Sequence, residues 1–119
     1  MKPNGDLIFD SKVEYVLDEQ VGLFKVLSNK NRLKIIYLLR VYHSLSVSDL
    51  RDRLQISKAT MSSHVSLLKH VGIVSHYTQN RKMYLTLNCS DIKEICVLIE
   101  SFIQKNLKLK SEELSKLEF

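Results

Sequence analysis

Residues 54–74 read LQISKATMSSHVSLLKHVGIV, and residues 75–87 continue as SHYTQNRKMYLTL. Ser57 stands where a helix N-cap is needed and Gly72 where a left-handed terminator is needed, so the first stretch predicts a helix to about Val71. At 100° per residue, Met61, His64, Val65, Leu68 and Val71 fall on one side of that helix. Lys58, Ala59, Ser62, Ser63, Ser66, Lys69 and His70 fall on the other. Ahead of it, Ser46 or Ser48 caps a shorter helix ending near Leu54. Beyond Gly72, Ile73–Thr78 and Lys82–Leu87 are rich in β-branched and aromatic residues and predict two strands. Gln79-Asn80 lies at the turn between them, where Asn tolerates positive φ.

The same region is cleared of negative charge. No Asp or Glu occurs between Asp52 and Asp91, while Arg53, Lys58, Lys69, Arg81 and Lys82 all do. The net charge of the chain is +5, so the cationic excess sits in this one segment and the remainder is balanced. Such a surface suits a polyanion, because each neutralised phosphate releases condensed counterion. Double-stranded DNA is the first partner to consider.

Working outward, Asp10 or Ser11 caps a first helix to about Leu27, with Val13, Val16, Leu17, Phe24 and Leu27 near one face. Ser28-Asn29-Lys30-Asn31 breaks that pattern and offers a new cap. The second helix, roughly Lys30–Val41, is apolar almost all round through Leu33, Ile35, Ile36, Tyr37, Leu38 and Leu39, and is expected to be the central buried helix. Residues 42–46 connect it to the third helix, with room for a short strand. Ser90 caps a long last helix striped by Ile92, Ile95, Ile99, Phe102 and Ile103.

The 119 residues make one domain, with residues 1–9 as a loose tail and 90–117 as the last helix. An apolar fraction of 45% with one Pro and three Gly excludes a disordered or collagen-like chain and favours helices. No apolar run approaches a membrane span and no export signal opens the chain, so no membrane partner and a cytoplasmic location are expected. Cys89 and Cys96 cannot build a disulfide framework. Glycine-rich phosphate loops, metal clusters and nucleophile–base patterns are absent, so neither an enzyme nor a cofactor is expected.

That element order, with those residues, resembles the ArsR/SmtB family of winged helix-turn-helix repressors. Residues 23–35, LFKVLSNKNRLKI, resemble the family's opening LFKALSDPTRLRI, with Lys30-Asn31 departing from the usual Asp-Pro-Thr chemistry. Residues 54–74 resemble its recognition stretch LGLSQSTVSHHLKVLREAGLV without a gap, and 75–87 resemble its wing, with Arg81 at the wing arginine and Asn80 where Gly is common. About 65 contiguous residues from Leu23 are covered. The resemblance implies a mainly α, dimeric winged helix-turn-helix with a small two-stranded β wing, acting as a repressor.

By resemblance the fourth helix enters the major groove and the wing follows the backbone or the adjacent minor groove. The residues placed at DNA are then Lys58, Ala59, Thr60, Ser62, Ser63, Ser66 and Lys69 on the helix, and Asn80, Arg81 and Lys82 on the wing. Serines admit close approach, and the lysines reach phosphate or guanine edges. His64 shares the side of Met61 and Leu68, which fits a satisfied core histidine better than a base reader. The resemblance also implies a two-fold dimer built from the first and last helices, with Val13, Val16, Ile95, Ile99, Phe102 and Ile103 as interface candidates. Two recognition helices about 34 Å apart would then read a pseudo-palindrome.

The family's metal sites are not intact. Its Cys-Val-Cys pair on the third helix is matched by Ser46-Val47-Ser48. Its zinc site on the last helix is matched by Asp91, Lys93, Gln104 and Leu107, of which only Asp91 is a ligand of the right kind. No metal site and no metal response are therefore expected, and the effector stays open. Two alternatives stand beside this reading. One is a thiol- or redox-responsive repressor using Cys89 and Cys96, against which stands inert buried cysteine. The other is a winged-helix module that binds proteins instead of DNA.

Overall fold

The computed structural model describes residues 8–116, so most of the expected loose tail and residue 117 lie outside the described residues. The chain divides into two compact units, one through Leu87 and the other from Asn88. The first unit runs α1 (Ser11–Leu27), α2 (Lys30–Tyr42), β1 (Ser44–Ser46), α3 (Val47–Leu54), α4 (Lys58–His70), β2 (Val74–Gln79) and β3 (Lys82–Leu87). The second is a single helix, α5 (Ser90–Lys116).

Side-chain caps set the helix starts. Asp10, Asn29, Ser46 and Ser57 accept from the backbone N–H groups of Val13, Arg32, Asp49 and Thr60 at 2.9–3.1 Å, each satisfying a donor that the first turn leaves orphaned. The end of α4 is a Schellman motif: Gly72 (φ 80°) donates to the Lys69 carbonyl and Ile73 to the Leu68 carbonyl, both at 3.0 Å. Helix α3 stops in the same way on a non-glycine residue, with Gln55 at φ 55°. Ser90 is itself the first residue of α5 rather than the residue before it.

Ile35, Ile36, Leu39, Leu50, Met61, Leu68 and Leu85 are buried almost completely and form the centre of the first unit. Helix α2 packs on α1, α3, β1 and β3. It is not buried all round as its composition predicts: Leu33, Tyr37 and Val41, spaced by four residues, leave an exposed stripe, and Tyr37 keeps 60% of its surface. A unit this small covers one side of a helix, and the other side stays at its surface.

The sheet has three strands, ordered β1-β3-β2 and antiparallel throughout, where the sequence predicts a two-stranded hairpin with only room for another strand. Residues 44–46 pair with β3, setting Leu45 opposite the fully buried Leu85. Strand β2 is buried at Val74 only, so the hairpin projects into solvent. Cross-strand pairs stiffen it: Tyr77 and Tyr84 stack with centroids 5.2 Å apart, and the Ser75 and Thr86 hydroxyls lie 3.1 Å apart.

Candidate nucleic-acid interface

The recognition surface is built on α4 and the hairpin tip. Met61, His64, Val65 and Leu68 are buried as the helical angle predicts, while Val71 is only half-buried. That anchoring leaves Lys58, Ala59, Thr60, Ser62, Ser63, Ser66 and Lys69 exposed on the outer side. The Ser57 hydroxyl caps the helix and donates to Thr60 Oγ1 at 2.9 Å, leaving the Thr60 proton available outward.

At the tip, Gln79 pairs with Lys82, so the two central turn residues are Asn80 and Arg81, one position later than the Gln79-Asn80 turn expected from sequence. Both have positive φ, 51° and 66°, the geometry of a type I′ turn that matches the twist of antiparallel strands. Arginine has no intrinsic preference for that conformation, which ordinarily falls to Gly or Asn. Arg81 is thus held at the tip by the strands on either side, and Asn80, Arg81 and Lys82 are all exposed.

One cation of the acid-free stretch is committed elsewhere. The Arg53 guanidinium carbon lies 4.7 Å from the Tyr42 ring centroid, so Arg53 stacks on the end of α2. Arg51 and Ser48 of α3 instead join Lys58, Ser62, Ser66 and Lys69 around a groove that the sequence reading missed. Arg51 lies between Asp49 and Asp52, outside the acid-free window, so charge counting passes over it.

His64 is buried but not fully satisfied. Arg32 Nη1 donates to its Nδ1 at 3.2 Å, which places the imidazole proton on Nε2, and Nε2 is buried without a hydrogen-bond partner among the described residues. Burial, and secondarily the Arg32 charge, hold its pKa below the ordinary histidine range. The same guanidinium donates through Nε to the Val26 carbonyl and through Nη2 to the Lys25 carbonyl at 3.4 Å. Arg32 therefore ties the C-terminal turn of α1 to the middle of α4.

At the positions matching the family's thiolate pair, the Ser46 hydroxyl is used as the α3 cap and lies 3.2 Å from the Ser48 hydroxyl. No group of three or more His, Cys, Asp or Glu side chains placed to hold a metal occurs among the described residues. Cys89 is exposed and Cys96 half-buried, which corrects the expectation of buried cysteines; Cys89 precedes α5. The interface candidates Val13, Val16, Ile95, Ile99, Phe102 and Ile103 are all exposed in their own units. No helix among the described residues is long and apolar enough to cross a membrane.

Helices α3 and α4, joined by a tight left-handed turn and followed by a β hairpin, define a winged helix-turn-helix. The family model for bacterial regulatory proteins of the arsR family matches residues 29–76. The chain is 34% identical over 73 residues to a cadmium resistance transcriptional regulatory protein, a CadC homologue of Staphylococcus aureus, covering 61% of this chain and 60% of that one. It is 30% identical over 79 residues to the transcriptional activator HlyU of Vibrio cholerae, covering 66% and 72%. The solved structure of reduced HlyU superposes with a TM-score of 0.66 at 27% identity over 78% of this chain and 97% of that one. A homodimeric winged helix-turn-helix DNA-binding domain of Mycobacterium bovis shares the fold, with a TM-score of 0.76 at 21% identity over 89% and 94%. This chain belongs to the arsR family of bacterial regulatory proteins. It spans less than two thirds of the length of the cadmium regulators it matches.

Proposed function

We propose that this protein is a sequence-specific DNA-binding transcriptional repressor, acting in the cytoplasm as a homodimer on a pseudo-palindromic operator. The observation that carries the reading is the outer face of α4. Lys58, Ala59, Thr60, Ser62, Ser63, Ser66 and Lys69 are exposed together with no acid among them, beside a hairpin that presents Arg81 at its tip. Small hydroxyl side chains and two lysines are what a major groove admits, and an arginine tip is what a phosphate backbone or narrow minor groove holds. Dimerisation through α1 and α5 supplies the second half-site, and occupancy of an operator overlapping a promoter excludes polymerase. Genome-wide footprinting identifies the operator, and anisotropy titration of that duplex then tests the reading. Affinity should fall steeply with salt, and Ser62 or Ser63 substitutions should alter base preference. Weak binding to every duplex at low salt would assign the fold to protein interaction instead.

The signal is not one of the family's metals. Ser46 is committed to capping α3, and Lys93, Gln104 and Leu107 leave Asp91 as a lone carboxylate, far from a four-ligand site. Zinc, cadmium or arsenite at micromolar levels should leave the operator complex intact; stoichiometric, chelator-reversible release would overturn this. One observation favours a second reading, a thiol-borne signal: Cys89 is exposed and sits where the chain enters α5. Peroxide should then release the operator from the parent protein and not from Cys89→Ser.

A further inference from the structure

The groove between α3, α4 and the wing strand β3 has a volume of about 570 Å³, within the range of about 300–1,000 Å³ typical of small-molecule sites. Val47 and Met83 line it with apolar surface, over a floor formed by the buried Met61 and Val65. A sugar–phosphate backbone gains nothing from such side chains, because they offer its oxygens no donor. The phosphate contacts of the DNA-binding reading therefore use the rim of this concavity and make no use of Val47 or Met83.

The rest of the lining is cationic and hydroxylic. Lys58, Ser62, Ser66 and Lys69 succeed one another at helical spacing along one line of α4, a span of about 16 Å, and Arg51 joins from α3. No carboxylate is among the lining residues, and no ion pair of Arg51, Lys58 or Lys69 occurs among the described residues. An apolar trough edged by three cations, with no carboxylate in its lining, selects a molecule with a hydrocarbon body and an anionic head. The unbranched side chain of Met83 adapts to such a body without a fixed shape.

We propose that this groove binds a small amphipathic carboxylate, and that its occupancy competes with DNA for the same lysines. The competition rests on the DNA-binding reading above, whereas binding of the carboxylate to the free protein does not. An effector of this kind needs no conformational relay, because ligand and operator share Lys58 and Lys69.

Decanoate is the probe, titrated at sub-millimolar concentration into the full chain and followed through the methionine, isoleucine and leucine methyl NMR signals. Met61 and Met83 signals should move saturably, at one decanoate per protomer, while the Ile35 and Leu39 core methyls stay in place. Acetate and the cationic decyltrimethylammonium should leave all of them unmoved at the same concentration. Ser66→Phe, which fills the groove from an exposed position, should lose at least tenfold in decanoate affinity without a change in Tm. Unmoved Met61 and Met83 signals, or equal shifts with the cationic surfactant, would overturn the site. In operator anisotropy, the apparent Kd for duplex should keep rising with free decanoate, without a plateau where the site itself saturates. Decanoate binding without displacement of a bound duplex would overturn the competition. Decanoate binding by a protein with no affinity for any duplex would uphold the site and sink the DNA-binding reading instead.

Discussion

Helices α4 and α5 carry the same kind of apolar stripe and use it in opposite ways. In α4, 13 residues long, Met61, His64, Val65 and Leu68 are buried within their own unit, and the remaining residues, Ala59 and Leu67 apart, are polar. In α5, 27 residues long, none of residues 90–114 is buried, and Leu98 and Phe102 keep 69% and 70% of their surface. Periodicity thus tells that a face will be covered and not what covers it. The stripe of α4 is spent on folding. That of α5, like the exposed Val13, Val16 and Phe24 on α1, is an apolar surface larger than monomers ordinarily leave in water.

Substitution separates the two uses. Leu68→Ala, at a fully buried position, should destabilise the fold by about 2–5 kcal/mol, read by urea denaturation at fixed protein concentration. Ile99→Glu combined with Phe102→Glu should leave each unit folded yet yield monomers by sedimentation. Operator affinity should then fall at least about 100-fold, because two linked half-site contacts become independent. A DNA-competent dimer in that double variant would remove α5 from the interface.

A smaller effect separates anchoring from contact within the first unit. Arg81 is held at positive φ by the hairpin, so its backbone works against residue preference while its side chain is exposed. Arg81→Ala and Arg81→Gly should weaken binding to all duplexes alike and lower the salt slope by about 1. The two variants should differ in stability: glycine accepts this conformation and should exceed alanine by about 1 kcal/mol. Equal stability would mean that the turn relaxes once the arginine is gone.

What could be read from sequence was mostly local. Asp10, Asn29, Ser46 and Ser57 cap where short polar residues precede periodic apolar ones, and Gly72 terminates α4, because these choices are settled within one helical turn. The outward residues of α4 were legible for the same reason, since one buried stripe fixes the opposite face. Long-range pairings were not. The third strand depends on Leu45 meeting Leu85, forty residues on, and the bond between Arg32 and His64 spans thirty-two. The exposed stripe of Leu33, Tyr37 and Val41 eluded composition, because an all-round apolar helix carries no sign of which side the unit covers. Arg51 escaped because its acidic neighbours mask in sequence what α3 separates in space.

The smallest effect concerns the one buried titratable group of α4. His64 is favoured neutral in the fold by burial and by Arg32, so its folded pKa lies below the unfolded value of about 6.5. The unfolded chain then binds the proton more readily, and stability rises with pH through this window. The contribution is complete above about pH 6.5 and is lost as pH falls from there toward the folded pKa. His64→Gln keeps an acceptor for Arg32 without the titration, so the difference in unfolding free energy between parent and variant should shrink or reverse in acid. Protonation sets two positive charges 3.2 Å apart and loosens the link from Lys25 and Val26 to α4, so operator affinity should follow the same profile. Parallel pH curves for parent and His64→Gln in both measurements would show that Arg32 releases His64 without consequence for the recognition helix.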